Sequence, residues 1–326
     1  MASYPGFFIR DGLGQQPGQQ ADGPASPDII LAGTCPAPDP GSFATPRGYA
    51  TDYGSAVYPG VPNFVYLRTL PPIGRAWFYW APRDLVPWPQ SWQSAGVTVA
   101  GAPCNHQDLT LTAAGQVCVT DPYAWQPAPS KGCGYSFLAW IENRPAEPPQ
   151  DPVAAFGPAE SWERLIAFQS GDGDWAWRNV VDVSGLGVNW SQSVDVTGPT
   201  DVPGVFIIGL QCTNMPTDGE LGFVLTSPAN GGSGANFPLS PIPEPNYRGA
   251  VEVTDWPGGA AASLTVNYRQ GAVAPPKGAG IEAVLAVPIG NLSAEVAALA
   301  AARPDRLITD TGIEMSFIVG ALVFRF

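Results

Sequence analysis

Lysine is almost missing from this 326-residue chain, which carries only Lys131 and Lys277. Charged residues make up 13% of it, against about 25% in an ordinary soluble globular chain. Lysine and glutamate are what an isolated sheet protein uses to solvate its surface and keep its strand edges unpaired. A chain so poor in them either covers much of its surface with copies of itself, or comes from a composition that trades Lys for Arg and stays soluble through Ser, Thr, Gln and Asn. No cluster of basic residues exists, and the net charge is −13. Both features exclude a nucleic-acid partner, which needs grouped Lys and Arg for its phosphates, and they disfavour anionic membrane surfaces.

Other absences narrow the chemistry. Histidine occurs once, as His106 in Cys104-Asn105-His106-Gln107-Asp108. No Gly-x-Ser-x-Gly elbow accompanies it, and neither GxxxxGK[ST] nor a strand-to-helix GxGxxG is present. The five cysteines, Cys35, Cys104, Cys118, Cys133 and Cys212, contain no CxxC pair. One histidine cannot complete the usual zinc ligand sets with them. Bridges between Cys104 and Cys118, Cys118 and Cys133, or Cys35 and Cys133 are conceivable, as are small buried thiols. Glu142, Glu147, Glu160 and Glu163 with Asp172 or Asp174 are the carboxylates available for hydrolysis. Nothing places two of them across a cleft. Asp172-Gly173-Asp174 supplies two acids where calcium takes six to eight oxygens. The expectation is a non-enzyme with no metal and no cofactor. Long hydrophobic runs are absent too: Phe317–Phe324 is broken by Gly320 and falls far short of the roughly 20 residues of a membrane helix. Met1–Asp11 lacks a basic stretch followed by a long apolar one. The expected location is therefore extracellular or particle-associated, without a visible signal peptide.

What is abundant is glycine, proline and aromatics. Gly and Pro number 38 and 37, a level that can mark disorder, but 11 Trp, 14 Phe, 10 Tyr and 45% hydrophobic residues do not fit a disordered chain. Short strands joined by Gly/Pro turns fit both, which makes the fold class all-β. The spacing predicts strands at 28–31, 63–68, 75–80, 136–141 and 179–183, then at 193–196, 205–210, 221–225, 250–253 and 262–268, and finally at 281–287 and 313–326. Helical turns are expected at 160–168 and 294–302, the second capped by Ser293 and ended by Pro304. The resulting organisation is an extended arm (1–27), a first β-sandwich domain (28–186), a second (187–274) and a C-terminal strand–helix–strand appendix (275–326). A long loop is expected at 227–246. The last, strongly apolar strand must be buried, in its own sheet by preference or else by donation to a neighbour.

In the first half, Ser26-Pro27-Asp28-Ile29, Asn63–Arg68, Tyr79-Trp80-Ala81-Pro82, Pro87-Trp88-Pro89 and Ala176-Trp177-Arg178-Asn179-Val180 form an ordered series. It resembles an immunoglobulin-like sandwich module of bacterial extracellular and surface proteins over about residues 26–184. Gly171-Asp172-Gly173-Asp174 stands where that family usually has paired asparagines. The resemblance implies an Ig-like, non-catalytic domain with a role in adhesion or assembly.

Pro-rich segments carry Trp88, Trp92, Tyr123 and Trp125, and the arm carries Phe7 and Phe8. Aromatics in loops serve as interface anchors, as plugs at a sandwich end, or as sugar-stacking platforms. The reading is a non-enzymatic structural or assembly subunit of a surface, filament or particle, with itself as partner. The alternative is a carbohydrate-binding adhesion module that uses the loop tryptophans on glycans.

Overall fold

The structure, a computed structural model, describes residues 9–13, 15, 25–70, 73–110, 116–127, 134–142, 148–157, 161–170, 174–183, 185–200, 204–302, 306–308 and 315–326. The chain is mostly strand and divides into two compact units.

The first unit takes Met1–Pro82, Pro89–Gly157 and Asp172–Arg178. Its strands are β1 (Ile29–Gly33), β2 (Asn63–Thr69), β3 (Ile73–Pro82), β4 (Val97–Val99), β5 (Ala102–Pro103), β6 (His106–Thr110), β7 (Cys118–Val119), β8 (Tyr123–Trp125), β9 (Tyr135–Glu142) and β10 (Asp174–Arg178). Two short helices, α1 (Pro46–Tyr49) and α2 (Pro152–Phe156), join them. One sheet runs β1-β2-β8-β4-β5 with β7 beside β2, and the other runs β10-β9-β3-β6. The period-2 alternation sends Ile29, Val65, Leu67, Tyr123 and Trp125 from the first sheet and Ala76, Phe78, Phe137, Ala139 and Ile141 from the second into one shared core.

The arm ends in this unit. Ile9 joins the same core, and Arg10 is 2% exposed. Arg10 Nη2 lies 2.6 Å from Asp28 Oδ1, and Arg68 Nε lies 2.7 Å from the same oxygen. One carboxylate thus serves two guanidiniums. The excess positive charge is spread over backbone carbonyls: Arg10 donates to Tyr49, and Arg68 to Gly48, Pro27, Phe43 and Thr51.

The second unit takes Arg83–Trp88, Pro158–Gly171 and Asn179–Phe326. Its strands are β11 (Val180–Asp182), β12 (Asn189–Thr197), β13 (Gly204–Thr213), β14 (Glu220–Leu225), β15 (Ala235–Pro241), β16 (Arg248–Trp256), β17 (Ala261–Arg269), β18 (Gly280–Pro288), β19 (Leu307–Ile308) and β20 (Ser316–Arg325). Its helices are α3 (Trp162–Gln169) and α4 (Ala294–Ala301). One sheet runs β11-β20-β18-β13-β16 with β19 beside β20, and a four-stranded sheet runs β12-β17-β14-β15. All these pairings are antiparallel except β11 with β20. The segment Arg83–Trp88 crosses β20 at Gly320, where a Cβ would overlap the Leu85 carbonyl oxygen. Asn179 fastens the crossing, because its Nδ2 donates to the Asp84 carbonyl at 3.0 Å and to the Ala321 carbonyl at 2.9 Å.

Several expectations are corrected. Residues 275–326 are no appendix: β18 and β20 are inner strands of the second unit's larger sheet, where strands this apolar are paired along both edges and are not left exposed. The strand expected at 179–183 as the last of the first half is β11, paired in parallel with β20, so the boundary expected at 186/187 falls at Arg178/Asn179. The loop expected at 227–246 contains β15, an edge strand that Pro238 and Pro241 disguise. Ser293 stands at the N-cap of α4 without a side-chain capping bond. Its N–H goes instead to Glu163 Oε1.

Candidate assembly surface

The outer face of the four-stranded sheet in the second unit is built by simple alternation. Along β12, Trp190, Val194 and Val196 point inward while Ser191, Ser193 and Asp195 are exposed. Along β17, Leu264, Val266 and Tyr268 are buried, and Ser263, Thr265 and Asn267 occupy the other parity. The register sets Ser191 opposite Asn267, Ser193 opposite Thr265 and Asp195 opposite Ser263. Val224 of β14 continues the Thr265 row and Asn236 of β15 closes it. The middle rows therefore carry hydroxyls, amides and an exposed Val224, but no charge.

This face is ordered by its own cross-strand bonds. Ser191 Oγ donates to Asn267 Oδ1 at 2.6 Å, and Ser193 Oγ and Thr265 Oγ1 are 2.8 Å apart. Such pairs are worth about 0.2–1 kcal/mol each, and they hold short side chains in one arrangement. Charge appears only at the ends: Asp195 at one, and the Arg269–Glu220 pair at 2.9 Å at the other. Two strand edges of this unit are less suited to pairing. β15 carries Pro238 and Pro241, and the edge strand β16 of the larger sheet carries Arg248, Glu252 and Asp255.

The aromatics singled out in the sequence lie elsewhere. Trp88, Trp92, Tyr123 and Trp125 are 3%, 8%, 0% and 1% exposed, which goes against their use as surface anchors or sugar platforms, although Trp88 and Trp92 do flank the short turn Pro89–Ser91. Tyr123-Ala124-Trp125 is β8, and its alternation turns both rings into the first unit's core. Trp92 packs on Tyr79 and Trp175, and Trp88 stacks on Trp162 while its Nε1 donates to the Thr197 carbonyl at 2.7 Å. None presents a free face to a sugar ring. Phe7 and Phe8 lie outside the described residues.

The groups weighed for chemistry have structural partners. His106 opens β6, not a loop; Cys104 Sγ is 3.7 Å from its Nδ1 but donates to the His106 carbonyl at 3.0 Å. The His106 ring packs on Trp77. Glu142 accepts the Trp77 indole N–H and Glu163 the Ser293 N–H. Glu147, Glu160 and Asp172 lie outside the described residues. Cys35, Cys104, Cys118 and Cys212 are free thiols. Burial pushes the Cys212 thiol up to about 12, so it packs as a small hydrophobe. Cys133 is outside the described residues. No cluster of three His, Cys, Asp or Glu suited to a metal, and no helix long and apolar enough to cross a membrane, occurs among the described residues.

No family model and no curated protein matches the chain. Solved structures similar to it include one of manganese lipoxygenase of Gaeumannomyces graminis with part of zonadhesin of Komagataella pastoris. It is 10% identical, spans 92% of this chain and 96% of that one, and has a TM-score of 0.19. A second is CfaE, the adhesive subunit of CFA/I fimbria of enterotoxigenic Escherichia coli, at 9% identity, 98% and 92% coverage and a TM-score of 0.21. A third is the collagen-binding domain of Erysipelothrix rhusiopathiae surface protein RspB, at 8% identity, 82% and 92% coverage and a TM-score of 0.17. Likenesses this distant carry no argument about function.

Proposed function

We propose that this chain is a non-enzymatic structural subunit that associates with copies of itself through the outer face of the second unit's four-stranded sheet. The observation that carries this reading is the run of uncharged, mutually hydrogen-bonded side chains across Ser191, Ser193, Thr265 and Asn267. A solvated sheet face ordinarily carries Lys and Glu at such positions. The end charges favour a two-fold partner. With the axis lying across the strands, Arg269 of one copy stands over the Asp195 end of the other, and the contact is self-complementary.

The size of the face decides how strong one contact is. Four strands about 4.8 Å apart and roughly 24 Å long present on the order of 450 Å². Two copies then bury about 900 Å², below the ~1,200 Å² at which stable pairs begin. The contact is weak alone and gains strength by repetition in an assembly. The first unit's arm takes no part through its described residues, since Ile9 and Arg10 are spent in their own core.

Sedimentation velocity over a concentration series tests the reading. Wild type should associate at high concentration, and S193K/T265K should remain monomeric with unchanged melting temperature. R269E should weaken association, and R269E/D195K should restore it. A wild-type chain that stays monomeric throughout, or a lysine pair that associates like wild type, removes the proposal.

A further inference from the structure

We infer that the first unit holds a separate binding site for a neutral saccharide, in the groove over β1. The groove is open to solvent, offers about 580 Å³ and is walled by residues of the segments 35–43 and 52–55. That volume lies inside the range of about 300–1,000 Å³ typical of small-molecule sites.

The walls are fixed from below. The Ala37 N–H donates to the hydroxyl of buried Tyr66 at 2.9 Å, which pins one rim. The Phe43 ring meets Tyr66 and Tyr53 edge-on at 5.4 and 4.8 Å. On the other side, Leu31 N–H donates to the Tyr53 carbonyl and Ser55 N–H to the Leu31 carbonyl, so 53–55 is tied along β1. Asp52 is bound by the buried Arg178 at 2.7 Å. The Arg178 guanidinium also packs directly on Gly54, where a Cβ would lie 2.5 Å from its Nη2. A groove braced in this way is pre-organised, and little entropy is lost when it is filled.

Its lining selects the ligand class. Tyr53 is half-buried and lines the groove, together with the exposed residues Asp39, Ser55 and Cys35. An aromatic side chain beside a carboxylate and hydroxyls suits the apolar patch and the hydroxyl rim of a sugar. Arg178, the cation that holds the wall residue Asp52, does not line the groove and also donates to the Ser26 carbonyl. No positive charge among the lining residues faces the groove, and Asp39 adds a negative one, so phosphates, sulfates and uronates are disfavoured.

The site does not depend on the assembly face, which belongs to the other unit. It is tested by alkylation of Cys35 with iodoacetamide, followed by peptide mass mapping that separates it from the other four cysteines. Probes are cellobiose, maltose, chitobiose and lactose, with glucuronic acid and inorganic phosphate as charged controls. A binding disaccharide should slow Cys35 alkylation about tenfold at ten times its Kd and leave Cys104 unaffected. Y53A and D39A should abolish protection with the fold retained by near-ultraviolet circular dichroism, whereas Y53F should keep it. If no neutral disaccharide protects Cys35, if the charged controls protect it equally, or if Y53A and D39A are protected like wild type, the inference fails.

Discussion

Arg10 lies over Tyr49, its guanidinium carbon 3.4 Å from the centre of that ring, while its Nε and Nη2 are held by Asp28. Burial, then the nearby Asp28 carboxylate, push the Tyr49 phenol up to about 12, so the ring under the cation stays neutral. The arrangement makes the carboxylate of Asp28 the centre of the first unit's polar interior, since both Arg10 and Arg68 depend on it. D28A leaves two buried guanidiniums uncompensated and should cost about 3–5 kcal/mol in urea denaturation. R10A should cost less, because the Arg68–Asp28 pair survives it, but should speed proteolysis near residues 9–13. Equal losses for the two variants would show that Asp28 is not shared.

Trp125 contacts Tyr135 and Phe137 at 4.9 and 5.5 Å, both edge-on, and is 1% exposed. W125A should therefore destabilise the chain by about 3–5 kcal/mol, as expected for a core aromatic. W88A should also destabilise, through loss of its stack on Trp162 and its bond to Thr197. Neither variant should alter the Cys35 protection pattern while it remains folded. A W125A chain with wild-type stability would return this residue to the surface.

Gly320 is a sharper case. Its space is limited by backbone, the carbonyl of Leu85 and the Cα of Val86, neither of which can swing aside like a side chain. G320A should cost about 1–3 kcal/mol or more from overpacking, although alanine is better suited than glycine to a strand interior. A neutral or stabilising G320A, measured by thermal denaturation, would mean that Arg83–Trp88 does not rest on β20.

How far the sequence disclosed this molecule depends on whether a residue's role is local. The main strands were legible because alternation is local: 63–68, 75–80, 136–141 and 262–268 all lie within observed strands. Short strands such as β4, β7 and β8 were not, since two or three residues carry no period. Arg178 and Asn179 look alike as polar neighbours after a tryptophan, yet Arg178 binds Asp52 in the first unit and Asn179 ties Asp84 to Ala321 in the second. Partners 126 and 142 residues away leave no mark on the local pattern. The sheet face escaped notice for the opposite reason: Ser191, Ser193, Thr265 and Asn267 are ordinary surface residues one at a time, and only the register makes them a continuous patch. The tryptophans misled because proline nearby suggests an exposed position, whereas their size drew them into the interior.

Asp84 provides a pH dependence with a definite sign. The residue as a whole is half-buried, but its carboxyl is enclosed: Oδ1 accepts the Val86 N–H at 2.9 Å and Oδ2 the Thr197 hydroxyl at 2.6 Å. Burial, with a smaller push from Asp195, raises its pKa from 3.8 to about 7 against the lowering effect of those hydrogen bonds. Below pH 4 both the folded and unfolded chains hold this proton, and above about 7 neither does. Between those limits only the folded chain holds it, so the contribution favours folding at low pH and is lost as pH rises through the window. The slope is about 1.4 kcal/mol per pH unit and the total of order 4 kcal/mol. With 28 Asp and Glu in the chain, the wild-type curve alone mixes many titrations, so the readout is the difference from D84N, which cannot ionise. The variant's stability relative to wild type should climb between pH 4 and 7 and level off by pH 8. Parallel curves for the two proteins across that range would mean that the Asp84 carboxyl is solvated and ionises like any surface acid.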